Sequence, residues 1–367
     1  MSRTPRAVRL AELAAFLAAP LDGLGAAGPV GEVEISGFGS VMRASADELV
    51  FVRDASIAAL LGQSNARAVI APVGIDVGGR PVLRSAQPAR DFSRLIDEFA
   101  PRWRPAQGIA VGAHVDDTAQ IDPTASVESG ARIGPGCRIG ARTVISSNVT
   151  LVSNVEVGKD GWIHPGAVLR EDTSVGDRVV LQPGVILGGD GFGYLPDAEG
   201  RPVAMAQRGR VVLEDDVEIG AHTTVDRATL DETRIRRGAK IDNHVQIAHN
   251  CDIGEDVLII AQTGLSGGTI VGNRAILMAR CATTGHLRIG EGAFLAANTG
   301  VHHDVPAGAR MFGAPAMEER GWHRTVAALK RLPELVKRVR RLERRLEAAA
   351  PESGPPTAAK TGDRDPS

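Results

Sequence analysis

The chain has 367 residues and a formal net charge of −2 at pH 7, and aromatic residues make up 3% of it. This charge balance lacks the basic excess of chains that bind nucleic acid or membrane surfaces. No apolar run approaches the roughly 20 residues of a membrane-spanning helix, so we expect a cytoplasmic protein with two or three folding units.

The first part of the chain, residues 1–105, mixes one amphipathic helix with short apolar runs. The helix would bury Leu10, Leu13 and Leu17, and the charges of Arg9 and Glu12 distinguish it from a signal peptide. Strand-like runs follow at residues 30–35, 49–52, 68–73 and 81–83. We therefore predict a small N-terminal α/β domain.

A six-residue period dominates the next part of the chain. An aliphatic residue stands at every sixth position from Val115 to Leu187, and the period resumes from Leu213 to Val301 with one ten-residue step and one threonine. Three such hexads form one triangular coil of a parallel β-helix, so residues eighteen apart stack at the strand spacing of roughly 4.8 Å. We predict a mainly β fold with this β-helix over residues 106–312.

The position four residues after each aliphatic residue is nearly always small, as a narrow prism requires. All three cysteines occupy this position: Cys137, Cys251 and Cys281. We interpret them as buried small hydrophobic residues. Their odd number and unpaired spacing argue against a disulfide framework and favour a reducing compartment.

The period breaks between Leu187 and Leu213. The segment Gly188-Gly-Asp-Gly-Phe-Gly-Tyr194 opens a loop that we expect to run to about Gln207, because so many glycines are unfavourable within strands. Loops that project from a rigid scaffold commonly carry function. This loop is therefore a candidate part of the functional site.

Beyond about residue 313 the pattern becomes helical, with a short heptad seam at Leu332, Leu335, Val339, Leu342 and Leu346. Pro333 suits the first turn of a helix, where its missing N–H is harmless. The outer face is basic, which indicates either a solvated face or a docking surface for an acidic partner. One such seam is not stable as an isolated helix, so we expect a homotrimer that bundles the C-terminal helices of residues 313–349. We expect the tail over residues 350–367 to be disordered.

Three motifs carry a family resemblance: Asp190-Gly-Phe-Gly-Tyr194, Gln246-Ile-Ala-His-Asn250 and Thr284-Gly-His286. With them, the chain resembles the bacterial UDP-3-O-acylglucosamine N-acyltransferases of lipid A synthesis. The resemblance implies a left-handed β-helix, a homotrimer, a UDP-glucosamine-derived acceptor and a 3-hydroxyacyl thioester on acyl carrier protein. It implies no resident cofactor, because phosphopantetheine arrives on the carrier protein.

The chemistry points to a histidine. Amide formation needs a neutral amine, a base for its proton and hydrogen-bond donors for the tetrahedral oxyanion. The base of the family maps onto His249, and an unperturbed histidine pKa of about 6.5 leaves the side chain mostly neutral at cytoplasmic pH. The eighteen-residue rule places Gly267 one coil above His249, and with the resemblance we assign its N–H as the oxyanion donor. His286, two coils above His249, would assist the oxyanion or hold the phosphopantetheine arm.

Further residues are expected to bind substrate. Asp190 and Phe192 belong to the glycine-rich loop, and candidate acceptor contacts surround the predicted base: Asp242, Asn243, Gln246 and Asn250.

The resemblance also implies a uridine site in residues 1–105. The family holds the uracil with a Phe, an Asn three residues later and an aromatic residue three beyond. The corresponding residues of this chain are Phe51, Asp54 and Ile57, so the stacking ring is kept and the other two contacts differ. A carboxylate lacks the donor that an amide offers.

Other functions remain open at this point. A sugar O-acyltransferase should lack both the N-terminal domain and the glycine-rich loop. A carbonic-anhydrase-like hydratase would hold zinc with His244, His249 and a third histidine near Arg208, which His222 could supply only after a shift in stacking; a catalytic zinc needs three protein ligands, so we predict no metal. An inactive trimeric scaffold would bind acyl carrier protein through its basic helices.

Overall fold

The computed structural model describes residues 2–22, 29–100 and 103–349. The predicted tail over 350–367 lies outside the described residues, as do two residues of the link between the predicted domains. The chain divides into two compact units, Met1–Arg104 and Pro105–Ser367.

The N-terminal unit is an α/β domain around one mixed sheet. In the described part of this unit the strands are Ser2–Arg9, Leu21–Asp22, Glu34–Phe38, Glu48–Phe51, Ala68–Ala71 and Val82–Arg84, in the spatial order first, third, fourth, fifth, sixth, second. The pairs between the third and sixth strands are parallel, and the two edge pairs are antiparallel. Its helices are Leu10–Leu17, Ala55–Ala58 and Pro88–Phe99, with 3-10 turns at Val30–Glu32 and Ala59–Gln63.

The first helix agrees with its prediction in part. Leu10 and Leu13 are fully buried, whereas Leu17 is half-buried. The helix Pro88–Phe99 was not predicted, although its signals are present in the sequence. Pro88 stands in the first turn, and Phe92 and Leu95 are buried at helical spacing on one face.

The second unit contains the predicted β-helix, a left-handed parallel solenoid with three faces. The strands of the first face are Gly108–Ile109, Ser126–Val127, Val144–Ile145, Trp162–Ile163, Val180–Leu181, Glu218–Ile219, Lys240–Ile241, Leu258–Ile259, Ile276–Leu277, Phe294–Leu295, Arg310–Phe312 and Met317–Glu318. The strands of the second face are His114–Val115, Arg132–Ile133, Thr150–Leu151, Val168–Leu169, Ile186–Gly189, Thr224–Asp226, Gln246–Ile247, Gly264–Leu265, Ala282–Thr283 and Gly300–Val301. The strands of the third face are Gln120–Ile121, Arg138–Ile139, Glu156–Val157, Ser174–Val175, Arg210–Leu213, Glu232–Ile235, Asp252–Ile253, Ile270–Val271 and Arg288–Ile289.

The hexad predicts the interior correctly. Its aliphatic residues from Val127 to Val301 are at most 4% exposed, so each coil buries one on every face. At about 1.5–3 kcal/mol for each buried aliphatic side chain, this column is the main source of stability. The cysteines lie inside the prism as free thiols, as predicted.

Stacking follows the eighteen-residue rule except at two excursions of the chain and in the last coil, where Phe294 pairs with Arg310, sixteen residues on. Arg138 pairs with Glu156, eighteen residues on. The glycine-rich loop raises the spacing to 38, so that Ile186 pairs with Thr224. A second, shorter excursion near residues 227–231 gives a spacing of 22, and Thr224 pairs with Gln246.

The C-terminal segment is one continuous helix, Glu319–Ala349, that contains Pro333. The prediction that Pro333 begins a helix, and that residues 313–349 form several helices, is therefore wrong. A proline inside a helix leaves a carbonyl oxygen one turn earlier without its donor, and the exposed surface of this helix lets water take that place. Within the described residues, no helix combines the length and the apolar composition that a membrane crossing needs.

Candidate active site

A cleft of about 720 Å³ lies between the glycine-rich loop and the second face of the β-helix. The loop folds as predicted but adds a small hairpin, in which Tyr194–Pro196 pairs with Pro202–Ala204. Phe192 is 85% exposed and contacts the Tyr194 ring edge to face at 4.9 Å. The residues that line the cleft are Asp190, Gly191, Phe192, Gly193, Tyr194, Ala204, Met205, Asp226, Gln246, Ala248, Gly264, Leu265, Ser266, Ala282 and Thr283.

Charged side chains hold the beginning of the glycine-rich loop in place. The buried Arg227 donates from Nε to the carbonyl oxygen of Gly188 at 2.9 Å and pairs with Glu171 at 2.7 Å. Asp190, a predicted substrate contact, pairs instead with Arg170 at 2.8 Å. Because Arg227 is only 8% exposed, its bonds to the loop are poorly accessible to competing water.

His249 lies at the corner between the second and third faces, half-buried between two glycines. A Cβ on Gly267 would stand 2.6 Å from both Cε1 and Nε2 of the ring, and a Cβ on Gly191 would stand 2.8 Å from the Cβ of His249. Neither position leaves room for a side chain. The imidazole is therefore sandwiched between the glycine-rich loop and the coil above it.

Asn250 fixes the orientation and the tautomer of this imidazole. Its Oδ1 lies 3.1 Å from Nδ1 of His249 and accepts the backbone N–H of Thr229 at 3.0 Å, while its Nδ2 donates to the carbonyl oxygen of Leu230 at 3.1 Å. These two bonds to the short excursion distinguish the oxygen of the amide from its nitrogen. An oxygen facing Nδ1 requires Nδ1 to carry the hydrogen, which leaves Nε2 of the neutral ring with a free lone pair.

Gly267 stands one coil above His249, as predicted, since the N–H of Gly268 donates to the carbonyl oxygen of His249 at 2.9 Å. In the described part of the chain, no acceptor is bonded to the N–H of Gly267. His286 occupies the next coil, exposed, and its N–H donates to the carbonyl oxygen of Gly267 at 2.9 Å. His249, Gly267 and the His286 turn thus form one vertical column at this corner.

Asp226 was not singled out by the sequence analysis, yet its carboxylate lines the cleft below the predicted base. Its Oδ2 accepts Nε2 of Gln246 at 2.8 Å, and the hydroxyl of Thr224 donates to the other end of that amide. Burial raises the pKa of Asp226 above its ordinary value, while attraction to His249 opposes that rise. The short excursion concealed this residue, because a plain eighteen-residue step would stack Asp226 with His244.

Two of the predicted acceptor contacts lie at another corner. Asp242 and Asn243 form the turn between the first and second faces, and neither lines the cleft. Their side chains bond neighbouring coils: Asp242 accepts the N–H of Ala261 at 3.1 Å, and Asn243 accepts that of Ala221 at 2.7 Å.

The histidines considered for zinc are distributed over two corners. His222 and His244 stack at the corner between the first and second faces with their ring centroids 5.5 Å apart, whereas His249 lies at the next corner. Among the residues that the structure describes, no three or more His, Cys, Asp or Glu side chains are grouped so that they could hold a metal ion.

The N-terminal unit has its own apolar cavity of about 410 Å³, which Phe51 and Ile57 help to line. The Phe51 ring is half-buried and packs against Phe92 at 5.1 Å. Asp54 caps the helix Ala55–Ala58 by accepting the N–H of Ile57 at 3.1 Å, and hydrogen bonds lower its pKa to about 2. The carboxylate of Asp54 is therefore bonded to its own helix.

No family model matches the chain. Relatives named UDP-3-O-acylglucosamine N-acyltransferase match most of it. The one from Wolinella succinogenes is 42% identical over 88% of this chain and 98% of its own, and the one from Methylobacterium sp. (strain 4-46) is 42% identical over 89% and 93%. The one from Pseudomonas fluorescens is 37% identical over 94% and 97%.

Solved structures match parts of the chain. A UDP-N-acetylglucosamine acyltransferase of Francisella novicida is 25% identical, with a TM-score of 0.36 over 57% of this chain and 68% of that one. An Arabidopsis enzyme of the same name is 22% identical, with a TM-score of 0.42 over 56% and 73%.

Proposed function

Because the chain belongs to the family of UDP-3-O-acylglucosamine N-acyltransferases, we propose that it transfers a 3-hydroxyacyl chain from acyl carrier protein to the 2-amine of UDP-3-O-acylglucosamine. The product is the N-acylated sugar nucleotide used in lipid A synthesis. The phosphopantetheine that carries the acyl chain arrives with the donor, so the protein needs no resident cofactor.

The arrangement of His249 and Gly267 supports the proposed acyl transfer. Asn250 Oδ1 sets His249 so that Nε2 keeps its lone pair. One coil above, Gly267 presents an N–H to which no acceptor among the described residues is bonded. A base and an oxyanion donor on adjacent coils are what acyl transfer to an amine requires. Because Gly267 has no side chain, a thioester oxygen can approach its backbone N–H closely.

The reaction proceeds by attack of the neutral amine on the thioester carbonyl carbon. A carbon–nitrogen bond forms, the electrons of the C=O double bond move to oxygen, and the Gly267 N–H stabilises the resulting oxyanion. His249 Nε2 takes the extra proton from nitrogen. Collapse of the intermediate breaks the carbon–sulfur bond, and His249 returns that proton to the departing thiolate. His286, two coils above the base, is placed to assist the oxyanion or to contact the phosphopantetheine arm.

The cleft suits an acyl donor and a sugar acceptor. The exposed apolar side chains of the loop, Phe192, Tyr194 and Met205, offer contacts for an alkyl chain beside the base. Asp190 and Gln246 add polar groups to the same cleft. We assign the uracil to the cavity around Phe51, whose ring offers a stacking surface.

We also propose a homotrimer. Apolar side chains along the C-terminal helix are exposed in the single chain: Leu329, Leu332, Leu335, Val336, Val339, Leu342 and Leu346. Three copies would bury this seam in a helical bundle. The arginines of its other faces suit the acidic surface of a carrier protein.

Single-turnover transfer tests the proposal. Wild type and His249→Ala are mixed with 3-hydroxyacyl carrier protein and UDP-3-O-acylglucosamine, and the amide product is followed by mass spectrometry. We expect transfer by the wild type and a loss of about 10²–10⁴-fold in the variant. His114→Ala, at an exposed histidine in the first coils of the β-helix, is the matched control and should retain full rate. A wild type that binds both substrates without forming the amide would overturn the proposed reaction.

A further inference from the structure

Among the described residues, Asp226 differs from the other carboxylates around the cleft because no lysine or arginine pairs with it. Asp190 pairs with Arg170, and Glu171 pairs with Arg227. Within the described residues, the only hydrogen bond to the Asp226 carboxylate comes from Gln246, to Oδ2. Its neighbour Arg227 is turned away, toward the base of the glycine-rich loop.

The place of this carboxylate is fixed. Thr224 and Asp226 hold the Gln246 amide from both ends, so Gln246 in turn holds Oδ2. Oδ1 faces the backbone of Gly189, where a Cβ would stand 3.7 Å away and no hydrogen-bond donor is found among the described residues. One oxygen of a rigid, partly buried carboxylate is thus available to a ligand.

The surroundings make the negative charge unfavourable in the empty cleft. Burial raises the pKa of Asp226, and the nearby Asp190 raises it further, whereas attraction to His249 and the Gln246 bond lower it. A partly buried anion without a paired cation lowers stability unless a ligand supplies the opposite charge. Such unpaired groups are characteristic of binding sites.

We propose that Asp226 binds the protonated 2-amino group of the acceptor and thereby selects an amine over a hydroxyl acceptor. The inference rests on the proposed function, since the amino group is the cation that such an acceptor brings. Asp226 and His249 then face the same nitrogen from adjacent coils.

Two protons leave the ammonium group of the acceptor during the reaction. The bound ammonium first loses one proton to solvent, and the resulting neutral amine attacks the thioester carbonyl carbon. The nitrogen is positively charged again in the tetrahedral intermediate, where Asp226 stabilises it. The second proton passes to His249 and then to the departing thiolate. A hydroxyl acceptor carries no charge when it binds, so it gains little from the carboxylate.

Calorimetric binding without donor tests this role. Asp226→Asn keeps the shape and an acceptor for Gln246 but removes the charge. UDP-3-O-acylglucosamine and its analogue with a 2-hydroxyl group are titrated into the wild type and the variant, below and above the pKa of the amine. Glu199→Gln, at an exposed carboxylate of the loop hairpin, is the matched charge control.

We expect the wild type to bind the amine at least tenfold more tightly than the hydroxyl analogue at the lower pH, and Asp226→Asn to lose most of that preference while binding the analogue unchanged. An equal loss of affinity for both ligands in Asp226→Asn would mean a structural role and would overturn the inference. A variant that keeps the preference for the amine would overturn it as well. A wild type that binds the amine with this preference but forms no amide with donor present would refute only the proposed function.

Discussion

The Nδ1 atom of His249 lies 3.1 Å from Oδ1 of Asn250, an oxygen that also accepts the N–H of Thr229. Both residues belong to the turn between the second and third faces, and the short excursion around Leu230 holds the amide from the other side. The sequence analysis placed Asn250 among the acceptor contacts, but its polar side-chain atoms are bonded to the protein. We therefore interpret it as a positioning residue for the base.

Removing this amide should weaken catalysis without removing the base. In Asn250→Ala we expect kcat to fall by about fivefold, the equivalent of one lost hydrogen bond of about 1 kcal/mol. Asn250→Asp keeps an acceptor for Nδ1 and adds a negative charge that favours the imidazolium. The acidic limb of its pH–rate profile should therefore shift to higher pH. An Asn250→Asp profile that coincides with that of the wild type would contradict the positioning role.

Gly267 should not accept even one methyl group. Its backbone conformation is open to other residues, but the added Cβ would stand 2.6 Å from the His249 ring and displace it. A misplacement of about 1 Å can cost about 10²-fold in rate, so we expect a loss of that order in kcat for Gly267→Ala. Gly161→Ala, whose Cβ would have its nearest contact at 3.4 Å, is the control. Comparable kcat values for the two variants would argue against the sandwiched ring.

The sequence predicts the scaffold well because period and burial are linked directly in a β-helix. Every aliphatic residue of the hexad points inward, so Val127 or Ile253 can be assigned without knowledge of its partners. The candidate site is less predictable because it depends on the spacing between coils. The excursion near residues 227–231 stacks Thr224 beneath Gln246 and brings Asp226 within reach of the Gln246 amide. The size of that shift is a property of the excursion rather than of the repeat.

Two further differences between the prediction and the structure have local causes. Asp242 and His249 are seven residues apart, and the strand Gln246–Ile247 between them separates the two corners at which their side chains lie. The helix Pro88–Phe99 belongs to a region without a repeat, where apolar residues at helical spacing compete with strand-like runs.

The three cysteines should be unreactive in the folded protein. Burial raises the pKa of Cys251 to about 12 and raises those of Cys137 and Cys281 as well, so almost no thiolate forms at neutral pH. We expect an aromatic disulfide reagent to titrate no thiol in the native protein and all three in denaturant. Rapid reaction of one thiol per native chain would show that a coil opens near that cysteine.

Asp226 should lower the stability of the unliganded protein at neutral pH. Its pKa is raised by burial, so the charged form is disfavoured on folding. This unfavourable contribution is present above the folded pKa and is relieved as the pH falls through it. Asp226→Asn should therefore unfold at higher urea than the wild type near pH 8, and the difference should shrink at an acidic pH below the folded pKa. Glu199→Gln, whose carboxylate is 66% exposed, should show no such trend. A difference for Asp226→Asn that is the same at both pH values would mean that the charge is not the cause. A residue that binds ligand charge commonly lowers the stability of the free protein in this way, so the urea midpoints and the binding measurements address the same carboxylate independently.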